Sequence, residues 1–458
     1  MTRFRRWATA WGWRASLEGT PLSAEDAARL HMSTESNPMV ITVALLLDRP
    51  LPFDDLVGLL DARLAHLPAF RARVRRPWWG GAPRWEEDRG FDVRHHVRRA
   101  KLSVGTLAAL LERVSAIAET PFDRGRALWT VDWVEGLPEG PALVLRVSHA
   151  VADGLALVEV LVGLCDEGAG LAGASPPGAT PAALRAGPSR LARLAGGLGG
   201  AARLALRPAD PPTALRAPVG VRKCAVASHG YASEAVARAA HARGATVTAL
   251  VLAAIGAAVR EAVHEGAREP LGGALHAMLP VSVRHGSAEQ ERNAYTSVLL
   301  PIPLAVPFAG GPGGDDAEVH AIQAALSAAR ATVASVGGRL VGAAGVAPAL
   351  ATRLGLAFFS RKATLVVSSL RGPSSRVHLG GAGVRDVLAW APSVGAVGLA
   401  FTVLSYGGRL RVCVLADAQL EDRVRRVLLP SLDRHLAALV APPAAGGVAA
   451  PGPLGSGR

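Results

Sequence analysis

The sequence predicts a mixed α+β protein built as two similar halves, each a mixed sheet with helices packed on it. Three observations carry that reading. At 458 residues the chain is longer than one hydrophobic core usually supports. Apolar runs of period two recur among stretches of helical period, early and late in the chain. Residues 166–220 change character, with PPGATP and ADPP in an Ala/Gly/Pro/Arg-rich stretch, and read as a crossover between the halves with one loose helix around 190–206. The expected division is a basic, Trp-bearing extension (1–19), a first half (20–165), the crossover (166–220), a second half (221–440) and a disordered tail (441–458).

In the first segment Phe4, Trp7 and Trp11 share a helical face among Arg3, Arg5, Arg6 and Arg14. That pattern suits a helix lying in a membrane interface, and equally a ragged leader. No apolar core of signal-peptide length precedes Arg14. VITVALLL (40–47) reads as a buried strand. Asp54 is expected to cap a helix that sets Leu56, Val57, Leu59, Leu60 and Leu64 on one side. A second helix, about 104–118, carries the stripe Leu107, Leu110, Leu111, Val114 and Ile117. Strands LWTVDWV and ALVLRVS follow, joined by the turn EGLPEG; Trp129, Val131 and Trp133 share one face, as do Leu143, Leu145 and Val147. After the crossover come helices at 233–243 and 247–262, strands at 274–281, 297–303, 364–368, 398–404 and 410–415, and a last helix at 420–439.

Composition excludes several functions. Half of the residues are hydrophobic and 19% are charged, so the chain is globular rather than disordered. The net charge is +13, almost all from Arg, since only Lys101, Lys223 and Lys362 are lysines. That excess fits GC-rich coding or an anionic lipid or ligand; no basic stretch interleaves aromatics as a nucleic-acid surface would. Cys165, Cys224 and Cys413 are far apart, which speaks against a disulfide framework or thiolate metal site. The uncharged run 387–408 is long enough to span a membrane, but Pro392, Gly395 and Gly398 break it into a turn and a buried strand. His95-His96 lies among arginines and reads as surface. Glycines at 193–200 lack a Gly-Lys-Ser/Thr, and no Gly-x-Ser-x-Gly elbow exists, so neither a phosphate loop nor an ordinary lipase is expected.

The candidate chemistry lies in SHAVADG, Ser148 to Gly154. His149 continues the inward phase of Leu143, Leu145 and Val147, and imidazole is suited to take a proton at neutral pH. Asp153, four residues on, either orients that ring or braces the loop on an arginine, for which Arg284 is the candidate; spacing leaves both open. Gly154 is expected to let the chain turn tightly into a helix with Leu157, Val160 and Leu161.

The ordered set PLSAEDAARLHMSTESNPMVI (21–41), LAHLPAFRARV (64–74), PRWEEDRGFDVRHHVRR (83–99), PFDRGRALW (121–129), SHAVADG, MLPVSVR (278–284), NAYTSVLLPIP (293–303), VVSSLRGP (366–373) and FTVLSYGGRLRVCVLAD (401–417) resembles the bacterial wax ester synthase/diacylglycerol acyltransferase family over about residues 20–440. The resemblance implies two chloramphenicol-acetyltransferase-like halves with an active-site tunnel at their interface. It also implies transfer of a fatty acyl group from acyl-CoA, a substrate rather than a bound cofactor, to a long-chain alcohol or diacylglycerol. No metal is implied, and the implied place is cytoplasmic, peripheral on the inner face of the membrane or on lipid inclusions.

The second His of the family's His-His-x-x-x-Asp-Gly motif, its general base, falls on His149, with Asp153 and Gly154 completing the motif. The family's Pro-Leu-Trp falls on Ala127, Leu128 and Trp129. Ser148, Leu128 and Trp129 are the expected substrate contacts, and Asn293, Thr402 and Ser405 the candidates to donate to the oxyanion. Ser148 replaces the first His, and Thr248-Ala249 replaces a common Asn-Asp. Those departures leave room for a weakly active or non-catalytic protein that binds acyl lipids, or for another hydroxyl acceptor.

Overall fold

The computed structural model describes residues 17–76, 81–167, 206–267, 271–282, 295–305, 316–328 and 349–441. The extension 1–16, the loose helix expected at 190–206 except for its last residue, and the tail 442–458 lie outside them.

Two sheets organise these residues. The first has strand order β12-β13-β1-β6-β5-β4, with β1 at Val40–Leu47, β4 at Val97–Lys101, β5 at Trp129–Glu135, β6 at Ala142–Ser148, β12 at His378–Leu379 and β13 at Ala382–Trp390. The second runs β10-β9-β11-β14-β15-β7, with β8 (Tyr231–Ala232) added to β15. Its strands are β7 Lys223–Ala227, β9 Ala274–Ser282, β10 Tyr295–Pro303, β11 Leu365–Arg371, β14 Leu399–Tyr406 and β15 Arg409–Asp417. A separate ribbon pairs β2 (Ala72–Arg75) with β3 (Arg84–Glu87).

The helices that bear on the site and the cores are α1 Ala24–Met32, α2 Phe53–Arg63, α3 Leu107–Ala118, α4 Gly154–Leu164, α5 Ser233–Ala242, α6 Val247–His264, α7 Ala349–Ser360 and α8 Leu429–Val440. Asp54 does not cap α2: the helix begins one residue earlier, after Pro52, and Asp54 lies in its first turn. There its charge still faces the positive end of the helix dipole.

Strand alternation builds the layers. Ile41, Val43 and Leu45 of β1 join Leu143, Leu145 and Val147 of β6 and Trp129, Val131 and Trp133 of β5 in one core, under α2 and α4. The opposite face, through Ala44, Leu46, Val144 and Trp390, packs on α3 and on Ala225 and Cys413 of the second sheet. That second contact joins the halves, and polar ties reinforce it. Trp390 Nε1 donates to the Val226 carbonyl at 3.2 Å. Arg411 of β15 donates to Asp386 of β13 at 2.8 Å. The Lys223 amide donates to Glu119 at 3.1 Å.

The second core is filled by α6, whose residues from Ala249 to Val263 are almost all buried. α6 is long and apolar enough to cross a membrane, yet it lies inside the fold. The end of the crossover is pinned by Asp210, which accepts from the His276 amide at 2.9 Å and Thr364 Oγ1 at 2.7 Å. Burial alone would raise its pKa, but the His276 and Thr364 hydrogen bonds outweigh burial and hold it low.

Position along the chain does not separate the two sheets. β13, late in the sequence, pairs antiparallel with β1 from Thr42↔Trp390 to Leu46↔Asp386. The first sheet is therefore completed by a strand lent from residues 382–390.

Candidate active site

β6 delivers the SHAVADG segment to the edge of the first core. Its last residue, Ser148, pairs with Val40, and its amide donates to the Leu128 carbonyl at 3.0 Å. The His149 amide donates to the Met39 carbonyl at 2.8 Å. A tight turn follows, closed by Val151 N–H to the Ser148 carbonyl at 2.9 Å. Asp153 then caps α4, its carboxylate accepting from the Ala156 amide at 2.8 Å. Ser148, His149 and Asp153 are all buried. The motif is thus held by backbone at both ends, with His149 between two fixed points.

Gly154 works differently from the sequence expectation. It is not among the positive-φ residues, so the turn does not need it. A Cβ there would stand 3.0 Å from Leu370 Cδ2 of β11, so a side chain would have to push Leu370 aside where the second sheet approaches the motif.

Beside Gly154 opens an apolar cavity of about 570 Å³, its open mouth included. Ile41, Val43 and Leu45 of β1 line one wall and Leu157, Val158 and Leu161 of α4 another. Val384 and Val387 of β13, Leu370 of β11, and Leu404 and Tyr406 of β14 close it. Its wall therefore takes residues from both sheets: β1 and the lent strand β13 from the first, β11 and β14 from the second.

The polar groups in that wall are quiet. The Tyr406 hydroxyl donates to the Val384 carbonyl at 2.7 Å and accepts from the Val377 amide at 3.0 Å. Burial pushes Tyr406 up to about 12, and Cys165 likewise up to about 12. Both stay neutral, so the space suits an uncharged hydrocarbon chain.

The other sequence candidates divide. Thr402 has the strand parity of Leu404 and Tyr406, on the cavity side of β14, but its oxygen accepts from the Ala391 amide at 2.8 Å and so holds the turn after β13. Ser405 has the opposite parity, and its carbonyl accepts from the Gly372 amide at 2.8 Å. Trp129 is fully buried; its indole N–H donates to the Phe70 carbonyl at 2.8 Å, which places it in the core rather than against a ligand. Leu128 contributes its carbonyl to Ser148. Asn293 and Arg284 lie outside the described residues.

His96, read as surface, is 2% exposed and stacks on Trp129 with centroids 4.5 Å apart. Its Nδ1 lies 2.9 Å from the Trp129 carbonyl, and burial lowers its pKa. His95 remains exposed. Among the described residues no group of three His, Cys, Asp or Glu stands close enough to hold a metal.

Sequence reasoning passed over Met39. It has φ of 50°, and among the described residues no other non-glycine has positive φ. This buried, strained residue sits directly against His149, where such conformations persist only when their surroundings hold them. Asn37, two residues earlier, donates to Ser393 Oγ at 3.0 Å and ties the segment to the loop after β13. The replacement at Thr248-Ala249 falls at the start of α6, in the second core. Ala249 is the third helical residue after the Thr246 cap, where an acidic side chain would close a capping box.

Comparison with known proteins places this geometry. The pattern of the wax ester synthase/diacylglycerol acyltransferase catalytic domain matches residues 22–262, and that of the WS/DGAT C-terminal domain matches residues 292–431. A probable diacylglycerol O-acyltransferase of Mycobacterium tuberculosis, tgs1, is 27% identical over 436 residues, 88% of this chain and 90% of the relative. A second from that species, tgs3, is 36% identical over 135 residues, 28% of this chain; the match spans half of that relative's length, 50%. Among solved structures, the wax ester synthase/diacylglycerol acyltransferase of Marinobacter aquaeolei superposes with a TM-score of 0.65 at 22% identity, covering 92% of this chain and 98% of that one. The first condensation domain of the calcium-dependent antibiotic synthetase gives 0.62 at 20% identity, covering 94% and 98%. At these identities the two structures establish the fold, the two-halved acyltransferase architecture expected from the sequence.

Proposed function

This chain belongs to the wax ester synthase/diacylglycerol acyltransferase family, and from that membership we propose that it moves a fatty acyl group from acyl-CoA to a long-chain alcohol or diacylglycerol, with His149 as general base. The observation that carries the reading is the neutral apolar cavity lined in part by Gly154, the last residue of the motif that presents His149. A fatty chain lying there would bring its thioester toward the motif.

In the proposed reaction His149 takes the proton of the acceptor hydroxyl as that oxygen attacks the thioester carbonyl. The new C–O bond forms, the C–S bond breaks, and the proton passes to the departing CoA thiolate. No covalent enzyme intermediate is needed. Asp153 positions the loop by capping α4, and Gly154 keeps the second sheet in contact. Thr402 stands closer to this role than Ser405 as an oxyanion donor, since it has the cavity-side parity, although its oxygen is already engaged by the Ala391 amide. Acceptors of this class reside in membranes and lipid inclusions, so the working place is the inner face of the membrane or an inclusion surface, reached peripherally.

Release of CoA thiol, followed with acyl-CoA and a panel of long-chain alcohols and diacylglycerol, tests the assignment. Wild-type protein should turn over, and His149→Ala should be slower by about 10²–10⁴-fold, the usual worth of a general base. Thiol release unchanged in the variant would remove His149 from the chemistry. Acyl-CoA binding with no release in the wild type would support the non-catalytic alternative.

A further inference from the structure

We infer that α7 and the residues around it form a docking face for an anionic lipid surface, a reading that does not depend on the acyl-transfer chemistry. Leu354 and Phe358 are one turn apart and therefore share a face. They are 64% and 48% exposed. Leu206 is 85% exposed. The next residue's carbonyl, that of Arg207, accepts from Lys362 Nζ, and that ammonium lies 4.4 Å from the centroid of the Phe358 ring. Two of the five exposed large hydrophobics among the described residues thus share one helix face, and a third adjoins the backbone that Lys362 ties to it. Val104 and Val221 stand alone elsewhere. Contiguous exposed apolar groups rimmed by charge mark an interaction surface, whereas scattered ones do not.

Charge selects the occupant. Arg353 on α7 and Arg361, just past its end, flank the apolar pair in sequence and are exposed, and no carboxylate pairs with either among the described residues. Arg76, whose guanidinium donates to the Leu30 carbonyl of α1, adds a further cation where α1 and α7 pack together. The neighbourhood of Arg76 includes Arg353 and Arg124, and their repulsion adds to burial in lowering its pKa. The sequence has no Asp or Glu between Glu318 and Asp386. A second copy pressed face to face on α7 would set arginine against arginine. A bilayer with anionic headgroups offers hydrocarbon to Leu354 and Phe358 and phosphate to the arginines at once.

The helix is also coupled to the motif. Ser360 Oγ, at the end of α7, accepts from the Ala396 amide at 3.1 Å. That loop is held through Ser393 by Asn37, two residues from Met39, whose carbonyl receives the His149 amide. A lipid surface seated on α7 would therefore lie beside the segment that fixes His149.

Co-sedimentation of the full chain with vesicles tests this, using phosphatidylcholine alone or mixed with phosphatidylglycerol. Binding should require phosphatidylglycerol and weaken with salt. Leu354→Ser with Phe358→Ser should weaken it about tenfold or more, as expected for withdrawing two large side chains from hydrocarbon. Arg353→Gln with Arg361→Gln should cost about fivefold per arginine. Both pairs are exposed, so melting should stay at the wild-type value, which separates lost docking from lost folding. Equal partitioning of wild type and both double variants overturns the inference. So does a wild-type dimer in sedimentation velocity that Leu354→Ser with Phe358→Ser converts to monomer without changing vesicle binding, which would assign the face to a second copy.

Discussion

α4 and α6 begin alike and end up with different tasks. Each is an apolar helix whose first free amides are met by a capping side chain: Asp153 receives the Ala156 amide at 2.8 Å, and Thr246 receives the Ala249 amide at 3.2 Å. α6 is packed on all sides, so that even Gly256 and Arg260 are covered. α4 is packed on the side of Ala156 and Val160, while Val158 and Leu161 face the cavity. The difference lies in what stands opposite. α6 faces helices and strands that fill the space, including α8. α4 faces β1 and the lent strand β13, and Val43, Val384 and Val387 are too short to reach across. An apolar helix becomes a binding wall when its partners leave room, and its own sequence does not reveal that.

Filling the space on each helix gives the largest expected contrast. Val158→Phe puts a ring into the cavity. Turnover of long acyl chains should then fall relative to short ones, by about fourfold for each methylene that no longer fits, while melting stays near wild type. Val251→Phe on α6 has no space to enter and should destabilise the fold by about 1–3 kcal/mol without changing chain-length preference. A Val158→Phe enzyme equally slowed on all chain lengths would show that the cavity does not hold the acyl group.

Much of this was legible in the sequence. The strands around 40–47, 129–135 and 142–148 follow period-two alternation, and both faces of β1 and β6 are buried as their apolar runs imply. Carrying that phase one residue beyond β6 singles out His149 as the candidate base, which thiol release in His149→Ala tests. The lent strand was not legible: AGVRDVLAW alternates acceptably, but alternation says nothing about which sheet will receive it, and without it the cavity has no outer wall. The sequence around His96 misleads because its neighbours Arg94, His95, Arg98 and Arg99 are polar and exposed, while the ring itself turns onto Trp129. The conformation expected of Gly154 is not the one observed, and its contact with Leu370 leaves no trace in local sequence.

The caps offer a smaller and cleaner comparison. Asp153→Ala and Thr246→Ala each remove one acceptor from a helix start and should each cost about 1 kcal/mol in urea or thermal unfolding. Only Asp153→Ala should also slow thiol release, because its cap fixes the loop that carries His149. Asp153→Asn should keep most of the stability, as asparagine caps as well as aspartate. Comparable losses of activity in Asp153→Ala and Thr246→Ala would mean that the cap on α4 has no special bearing on the site.

The smallest expected effect belongs to α6 and its acid sensitivity. Glu261 is drawn in opposite directions: burial would raise its pKa, but hydrogen bonds from Arg434, Ser431 and His435 prevail and take it from 4.5 to about 2. His435 of α8 contacts it at 2.9 Å, and Arg434 closes the same corner. A carboxylate whose folded pKa is depressed binds protons less readily in the folded state. Its contribution is therefore fully present above the unfolded value of 4.5 and fades as the pH falls toward about 2. The side chain is partly exposed, which keeps the effect modest. Amides of α6 and α8 should lose hydrogen-exchange protection over that acid interval, and Glu261→Gln should flatten the dependence while lowering stability at neutral pH. A Glu261→Gln protein with the wild-type acid profile would trace the sensitivity to other carboxylates and leave the α6–α8 contact as packing alone.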